Sequence, residues 1–471
     1  MTQTGLSYQQ CLEKAATAGQ GHVFRWWNEL PDAARRKLAG QICRVDFGLI
    51  QSLSDRFLGR IPPKFSGKLE PVEFVRLPRT SQEQESLRRA RQTGGDAISR
   101  AKVALFIVAG GQGSRLKYDP PKGTFPICPI TGKSLFEVFA ERVRATEKRY
   151  TTEMPLYIMT STINDGATRQ FFEENDYFQL DRNRVSFFPQ DMLPTLDAEG
   201  RFLLKRKDEI AVNPNGHGGS IKALHDSGAL DDMARRGIKY ISYHQVDNVL
   251  VNSIDPAFIG YHIAGWAEMS LKVLEKRDAE EKLGVVGRVD GRMRVVEYSD
   301  LDKKLMHARN PDGSLVYRIG NIAIHLFNID FIERLNDGGF HLPYHVAEKV
   351  CSYVDENGVI VKPERENCIK FETFVFDALP EARAAVVVET DRDEEFAPMK
   401  NEKGDDSPQT SVNALVNRNG RWLRQAGVEI PTDAEGNVRG LIEISPLFAL
   451  DAEELAGKIS ADLKFDGKLL L

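Results

Sequence analysis

The order of apolar and polar positions changes character once along this chain. Up to about residue 98, apolar residues recur at three- and four-residue spacing with charges between them, as in YQQCLEKAATAGQGHVFRWWNELPDAARRKLAGQICRVDFGLIQSLSDRFL. That period predicts amphipathic helices. Pro62-Pro63 and the stretch SGKLEPVEFVRLPRTSQ interrupt it, and SQEQESLRRARQTGGDAIS restores it. Beyond residue 103, short continuous apolar runs take over: VALFIVA, PLYIMTS, VSFFPQD and KYISYHQVDN. Bounded by turn residues, they read as buried strands. The segments between them, SLFEVFAERVRATEKRY, DGATRQFFEEND and SIKALHDSGALDDMARRG, carry the helical period. Strand–helix alternation predicts βαβ units and a doubly wound, largely parallel sheet. VVGRVDGRMRVVEYS and CSYVDENGVIVKP place Asp-Gly and Asn-Gly between alternating runs. They predict two hairpins, and so a mixed sheet or an inserted flap.

The acidic stretch DRDEEFAPMKNEKGDDSPQTS is read as the last boundary. Three regions are expected: a helical N-terminal region (1–98), a central α/β domain (99–404), and a small C-terminal domain (405–471) with a short helix and weak strands.

Composition narrows the class. The chain has 471 residues, 41% hydrophobic and 28% charged, with a net charge of −5. This is a globular balance, and it argues against general nucleic-acid binding. No apolar run approaches bilayer length. MTQTGLSYQQ lacks the charged and apolar regions of a secretory signal, so no membrane association and a cytoplasmic location are expected. The five cysteines (Cys11, Cys43, Cys128, Cys351, Cys368) are odd in number and scattered, with no CxxC. They are read as reduced thiols.

The chemistry starts at VALFIVAGGQGSRLKYDPPKG (103–123). Glycines at the end of a buried strand let an anionic ligand approach backbone amides. The dinucleotide fingerprint GxGxxG fails, because Leu116 stands where its third glycine belongs. The P-loop pattern fails at Leu116 and Tyr118. A nucleotidyltransferase loop, GGxGTRLxxxxPK, fits through Gly110, Gly111, Gly113, Ser114, Arg115, Leu116, Pro121 and Lys122. The glycine amides can hold a triphosphate, Arg115 can stabilise a departing pyrophosphate, and Lys122 can bridge to the phosphate under attack.

The chain resembles the eukaryotic-type UDP-sugar pyrophosphorylases, and within them the UDP-N-acetylglucosamine pyrophosphorylases. The stretches that carry the resemblance include VAGGQGSRL, PPKGTFPI, FFPQDMLPTL, GHGGSIKAL, YHQVDNVLV, VGRVDGRMRVVEYSD, GNIAIHLF, FETFVFDAL and EEFAPMKN, in order and over most of the chain. The resemblance implies a Rossmann-like nucleotidyltransferase domain of the glycosyltransferase-A type. It also implies a UTP:sugar-1-phosphate uridylyltransferase that uses Mg2+ and releases pyrophosphate.

The same resemblance suggests roles for single residues. Ala109 with Gly110, Gly111 and Gly113 would cradle the nucleotide. Gln190 would read the uracil edge, since an amide offers donor and acceptor together; Gly218 and Gly219 would meet base or ribose. Asp247, at the carboxyl end of a strand, would hold Mg2+, oriented by Asn248. Glu297 would accept from sugar hydroxyls, and Asn321 would lie near the sugar 2-substituent. Lys400 would reach the phosphates, with Lys370 a lesser candidate. Phe371, Phe374 and Phe376, like Trp26-Trp27, are read as packing residues.

The chain departs from the pattern at two places. His217 stands where the acetylglucosamine enzymes carry asparagine; a Gly-His-Gly triplet is similar to the glucose-1-phosphate enzymes. Lys117 replaces a glycine. N-acetylglucosamine-1-phosphate is the expected acceptor. The alternatives are glucose-1-phosphate, a broad UDP-sugar pyrophosphorylase, and a non-catalytic nucleotide-sugar binder. A monomer or weak homo-oligomer is expected.

Overall fold

The computed structural model describes residues 8–59, 65, 67–111, 113–460 and 462–471. Its packing divides the chain into two compact units built from interleaved segments. One comprises 1–64, 190–219 and 342–375; the other comprises 65–189, 220–341 and 376–471.

The larger unit opens with helix α1 (Ser81–Ser99). Thr80 and Glu83 form a reciprocal cap at its N-terminus, which satisfies donors the first turn leaves unpaired. Then come β1 (Val103–Val108), α2 (Leu135–Tyr150), β2 (Leu156–Ser161), α3 (Asp165–Glu174), β3 (Val185–Gln190), β4 (Tyr240–Gln245), α4 (Pro256–Ala264) and β5 (Met269–Glu275). The hairpin β6 (Val285–Val289) and β7 (Arg292–Val296) follows, then β8 (Ile319–Asn328), β9 (Ala385–Glu389) and α5 (Pro408–Gln425). These strands and Leu69–Glu70 form one ten-stranded sheet. β1 pairs parallel with β2 and β4, and β5 pairs parallel with β9. β8 runs antiparallel to β4 and to β5. The sheet is therefore mixed, as the hairpin signals imply.

β1 is apolar throughout and β2 is buried along its whole length, as strands covered on both faces are; Val103, Leu105, Ile107, Leu156 and Ile158 are buried with Phe136, Phe139 and Val143 of α2. α1 and α4 cross with backbones almost touching: a Cβ at Gly94 or Gly260 would strike the opposing main chain. The Asp-Gly hairpin is realised with both turn residues at positive φ, Asp290 at 51° and Gly291 at 78°. Such a turn matches the right-handed twist of its strands.

The tail differs from expectation. It opens with an 18-residue helix, α5, capped by Ser407 and Thr410. Val416, Trp422, Leu423, Ile442, Ile444 and Leu455 bury around a local core. Asn and Gly within the helix weakened its periodic signal, and burial of its apolar face overrides that weakness.

The smaller unit packs helices Tyr8–Thr17, Asp32–Cys43 and Phe47–Phe57 with short strand pairs around Val23, Leu38, Ile42, Leu53, Leu196, Phe202 and Phe371. Trp26 and Trp27 pack against this core and Phe371 lies within it, as expected. The Asn-Gly hairpin forms from Tyr353–Val354 and Ile360–Val361.

The reading of the cysteines as reduced thiols is corrected. Cys11 pairs with Cys43 and Cys351 with Cys368 as disulfides, with Cα–Cα separations of 5.5 and 6.0 Å. Each pair is brought together by the tertiary packing of its unit, so linear spacing could not reveal it. Cys128 is a free thiol, buried, and burial raises its pKa. No helix among the described residues is long and apolar enough to cross a membrane.

Candidate functional site

β1 delivers the chain to the glycine loop. Both main-chain groups of Ala109 are engaged: its N–H donates to Met159 O (2.8 Å) and its carbonyl accepts from Asn164 Nδ2 (2.9 Å). Ala109 thus anchors the loop to β2 and offers no free amide. Gly113 turns the loop back, its carbonyl accepting from Leu116 N and Tyr118 N. A Cβ on Gly113 would lie 2.5 Å from Tyr118 O, so no other residue fits without moving the loop. Gly111 is open, with nothing within 4 Å of where a Cβ would be. Arg115, on the single turn that follows, is exposed and forms no ion pair or hydrogen bond with the described residues.

Lys122 points the other way. Its Nζ donates to Asp247 Oδ2 at 3.2 Å and to Met399 O at 2.8 Å. The two side chains are only 15% and 13% exposed. A shielded pair of this kind is screened far less than a surface ion pair. Asp247 sits just past the carboxyl end of β4, which lies beside β1 in the sheet. Its carbonyl accepts from Met399 N (3.0 Å). Asn248 completes the junction: Nδ2 donates to Glu395 O (2.7 Å), and Oδ1 accepts from Ala397 N (3.0 Å) and Leu250 N (3.3 Å). One asparagine thus ties the Asp247 turn to the segment that carries Lys400.

A cavity of about 80 Å3 lies at this junction, lined in part by Asp247, Asn248, Asn321 and Lys400. Its volume suits a few waters, so it forms the floor of a site and not the whole of it. Asn321 is buried near the start of β8, with its N–H on Gly284 O (2.8 Å) and its Oδ1 accepting from Ala323 N (3.2 Å). Glu297, just beyond β7, lies on the other side of Gly284; a Cβ there would come within 3.0 Å of Glu297 Oε1. Lys400 is held through its main chain, which donates to Asp406 O (2.6 Å). The Asp406 carboxyl is pushed above the usual carboxylate range by burial, with Lys400 opposing that rise. Lys117, the departure in the glycine loop, has φ of 52° and pairs with Glu402 at 2.9 Å.

The residues expected at the base lie in the smaller unit. Gln190 is buried at the end of β3. Gly218 N donates to Thr373 O (2.9 Å), and both Gly218 and Gly219 have main chain or side chain where a Cβ would be. His217 is held within the smaller unit. Its Nδ1 accepts from Val375 N (3.1 Å), and its ring stacks on Phe374 at 5.3 Å. Burial lowers its pKa to about 4, so it is neutral at physiological pH. Lys370 lies in the strand Cys368–Thr373 of the same unit.

Sequence reasoning missed two parts of the larger site. Met399 contributes only its main chain, which no residue-type motif signals. Arg142 and Arg418, which donate to the carbonyls of residues 249–251, belong to no motif that singles them out.

A glycine turn after a parallel strand, a lysine beyond it paired with an aspartate at the carboxyl end of the neighbouring strand, and a second lysine over the same cavity define a nucleotidyltransferase. A model of the UTP–glucose-1-phosphate uridylyltransferase family matches residues 67–448, and the chain belongs to that family. It is 37% identical to the human UDP-N-acetylhexosamine pyrophosphorylase-like protein 1, over 95% of this chain and 94% of that one. It is 33% identical to the UDP-N-acetylglucosamine pyrophosphorylase of Saccharomyces cerevisiae, over 93% and 94%. The solved structure of the Trypanosoma brucei uridine diphosphate N-acetylglucosamine pyrophosphorylase, with an inhibitor, superposes with a TM-score of 0.79 at 28% identity, covering 96% and 95% of the two chains.

Proposed function

We propose that this chain transfers the uridylyl group of UTP to N-acetylglucosamine-1-phosphate, giving UDP-N-acetylglucosamine and pyrophosphate. The carrying observation is the convergence of Lys122, Asp247, Asn321 and Lys400, from four distant parts of the sequence, around one junction. Asn321 supports the acetamido sugar, since an amide can pair with an acetyl group. The names of the relatives point the same way.

The sugar phosphate is already an anion, so no general base is required. A phosphate oxygen attacks the α-phosphorus, the bond to the bridging oxygen of pyrophosphate breaks, and that oxygen leaves with the electron pair. Positioning and charge neutralisation carry the rate. Arg115, exposed and without an ion pair among the described residues, stabilises pyrophosphate. Lys122 stabilises the reacting phosphate on leaving Asp247, and Lys400 draws in the sugar phosphate. Glu297 holds sugar hydroxyls. Gln190 with Gly218 and Gly219 takes the base, and His217 takes a sugar contact, by resemblance alone.

A single buried carboxylate beside phosphates suits Mg2+, which keeps several waters and needs no protein cage. No cluster of three or more His, Cys, Asp or Glu side chains suited to a metal ion occurs among the described residues. Asp247 would hold the ion, which neutralises the phosphates when bound.

The test is a panel of sugar-1-phosphates assayed with UTP and Mg2+ for pyrophosphate release. Highest kcat/KM with N-acetylglucosamine-1-phosphate is expected. A preference for glucose-1-phosphate of tenfold or more (about 1.4 kcal/mol) would overturn the sugar assignment. Binding of UDP-sugar without turnover of any acceptor would overturn the enzyme reading.

A further inference from the structure

Asp247 belongs to a turn that cannot hold itself. Residues 246–251 leave β4 without entering a helix or a further strand, with one isolated bridge from Asn248 to Pro398. Only weak internal bonds span the turn, such as Val251 N to Asn248 O at 3.4 Å. Three successive carbonyls in it are instead taken by two guanidiniums. Arg142 of α2 donates through Nη2 to Val249 O (3.1 Å) and through Nη1 to Val251 O. Arg418 of α5 donates through Nη1 to Leu250 O (3.2 Å) and lies over the Trp422 ring at 4.8 Å.

This is an expensive way to satisfy three carbonyls. Arg142 and Arg418 are 9% and 6% exposed. Neither is within ion-pair distance of a carboxylate among the described residues, and the Nε of each has no partner there. Burial depresses both, to about 9 for Arg142 and about 10 for Arg418, and the charge of Arg418 depresses Arg142 further. Apolar side chains would pack this volume more cheaply. What they could not do is donate fixed, forked hydrogen bonds to consecutive carbonyls. α5 follows directly on the segment that carries Lys400. One helix therefore reaches the two charged groups of the site by two routes: through Arg418 to the Asp247 turn, and through the chain to Lys400.

We propose that Arg142 and Arg418 are positioning residues that clamp the 249–251 carbonyls and so hold the Asp247 carboxylate where it can share a metal ion with the triphosphate. The inference rests on the metal-binding role of Asp247 given above. Both arginines line a cleft of about 870 Å3 on the larger unit, which gives a small cation access to the position of a removed side chain.

The test uses the full chain and the variants Arg418→Met, Arg418→Lys, Arg142→Lys and Asp247→Asn. The dissociation constant of UTP is measured calorimetrically with and without Mn2+. The ratio of the two constants isolates the metal bridge and needs no turnover. Removing a partner that orients a metal ligand costs about 10- to 100-fold. The ratio is expected to shrink by that amount in Arg418→Met. The metal-free constant should stay within about twofold, and millimolar guanidinium should restore part of the ratio.

The lysine variants keep the charge but lose the fork, and are expected to lose about tenfold, at the lower end of the same range. They also serve if Arg418→Met does not fold. A full metal ratio in both lysine variants would overturn the clamp, as would a fall in both UTP constants alike. Asp247→Asn separates the two readings. If it leaves the ratio intact, the metal role of Asp247 is wrong. If it abolishes the ratio while the arginine variants keep it, only the clamp is wrong.

Discussion

Replacing Lys122 by methionine separates what the lysine does for folding from what it does for chemistry. In the structure Nζ serves Asp247 Oδ2 and Met399 O, in a setting where neither side chain is more than 15% exposed. At 3.2 Å and an effective dielectric near 20, the gross attraction to Asp247 is about 5 kcal/mol. Most of that is offset by the desolvation of both charges. The loss to folding is then the penalty for an orphaned carbonyl and a buried carboxylate left without its cation, about 3–5 kcal/mol. Methionine preserves the stem packing, so no cavity adds to it. That is a fall of roughly 10 °C in melting temperature, at roughly 2–4 °C per kcal/mol. The chemical loss is separate from it. A preorganised cation aimed at developing charge is worth about 3–4 kcal/mol, so kcat should fall roughly 100- to 1,000-fold. Pyrophosphate release at saturating substrates gives kcat, and a thermal melt gives stability on the same sample. The reasoning fails if kcat falls less than about tenfold (1.4 kcal/mol) while the protein stays folded. It fails equally if the melting temperature collapses and accounts for the whole loss, because Lys122 would then be a structural strut.

Other expectations follow from single contacts. Gly113→Ala puts a Cβ 2.5 Å from Tyr118 O, and UTP affinity measured by calorimetry should fall at least tenfold (about 1.4 kcal/mol) with little change in helix content. Asn321→Leu should lower kcat/KM for N-acetylglucosamine-1-phosphate more than for glucose-1-phosphate, since only the former loses a hydrogen-bond partner; equal losses would remove Asn321 from sugar recognition. His217, His244 and His262 are each held by burial near a pKa of about 4, against 6.5 unfolded. The unfolded chain therefore binds more protons between these values, so their contribution is complete above pH 6.5 and is lost as pH falls toward 4. Denaturant melts should show a slope of up to about 1.4 kcal/mol per pH unit per histidine, and His262→Gln should flatten it. Thiol titration of denatured, unreduced protein should count one free cysteine, Cys128, against five if the pairs do not form.

What could be read in advance follows from how local each signal is. β1 and β2 announce themselves because strands covered on both faces read as near-continuous apolar runs. The Asp-Gly turn announces its hairpin because positive φ is cheap there. Lys122 and Asp247 could be singled out because phosphate chemistry asks for charge at fixed offsets from a strand end, and the fold pairs them at 3.2 Å. The assembly of the smaller unit was not, since it draws 190–219 and 342–375 to the N-terminal helices by contacts that leave no linear trace. His217 shows another limit: its Nδ1 accepts from Val375 N and its ring stacks on Phe374, contacts that its residue type does not announce. Arg142 and Arg418 were hidden for a related reason. On a helix, arginine is expected in solvent, and only the irregular turn beneath it shows why it is buried.

Lys117 gains a physical reading from the same logic. A lysine at φ 52° carries backbone strain that glycine would avoid, roughly 1–2 kcal/mol. Its ion pair with Glu402 is largely solvated, with side chains 76% and 36% exposed, and contributes little to stability. The pair therefore does not explain the substitution through stability of this conformation. The strain and the pair both lie beside phosphate-handling residues: Lys117 two positions from Arg115, and Glu402 two positions from Lys400. A triphosphate competes with Glu402 for the same ammonium group, and it offers more charge. Lys117→Gly should then stabilise the ligand-free protein slightly and weaken UTP binding, with the loss shrinking as salt is raised. If binding is unchanged at low ionic strength, the lysine is an ornament of the loop and the strain is uncompensated.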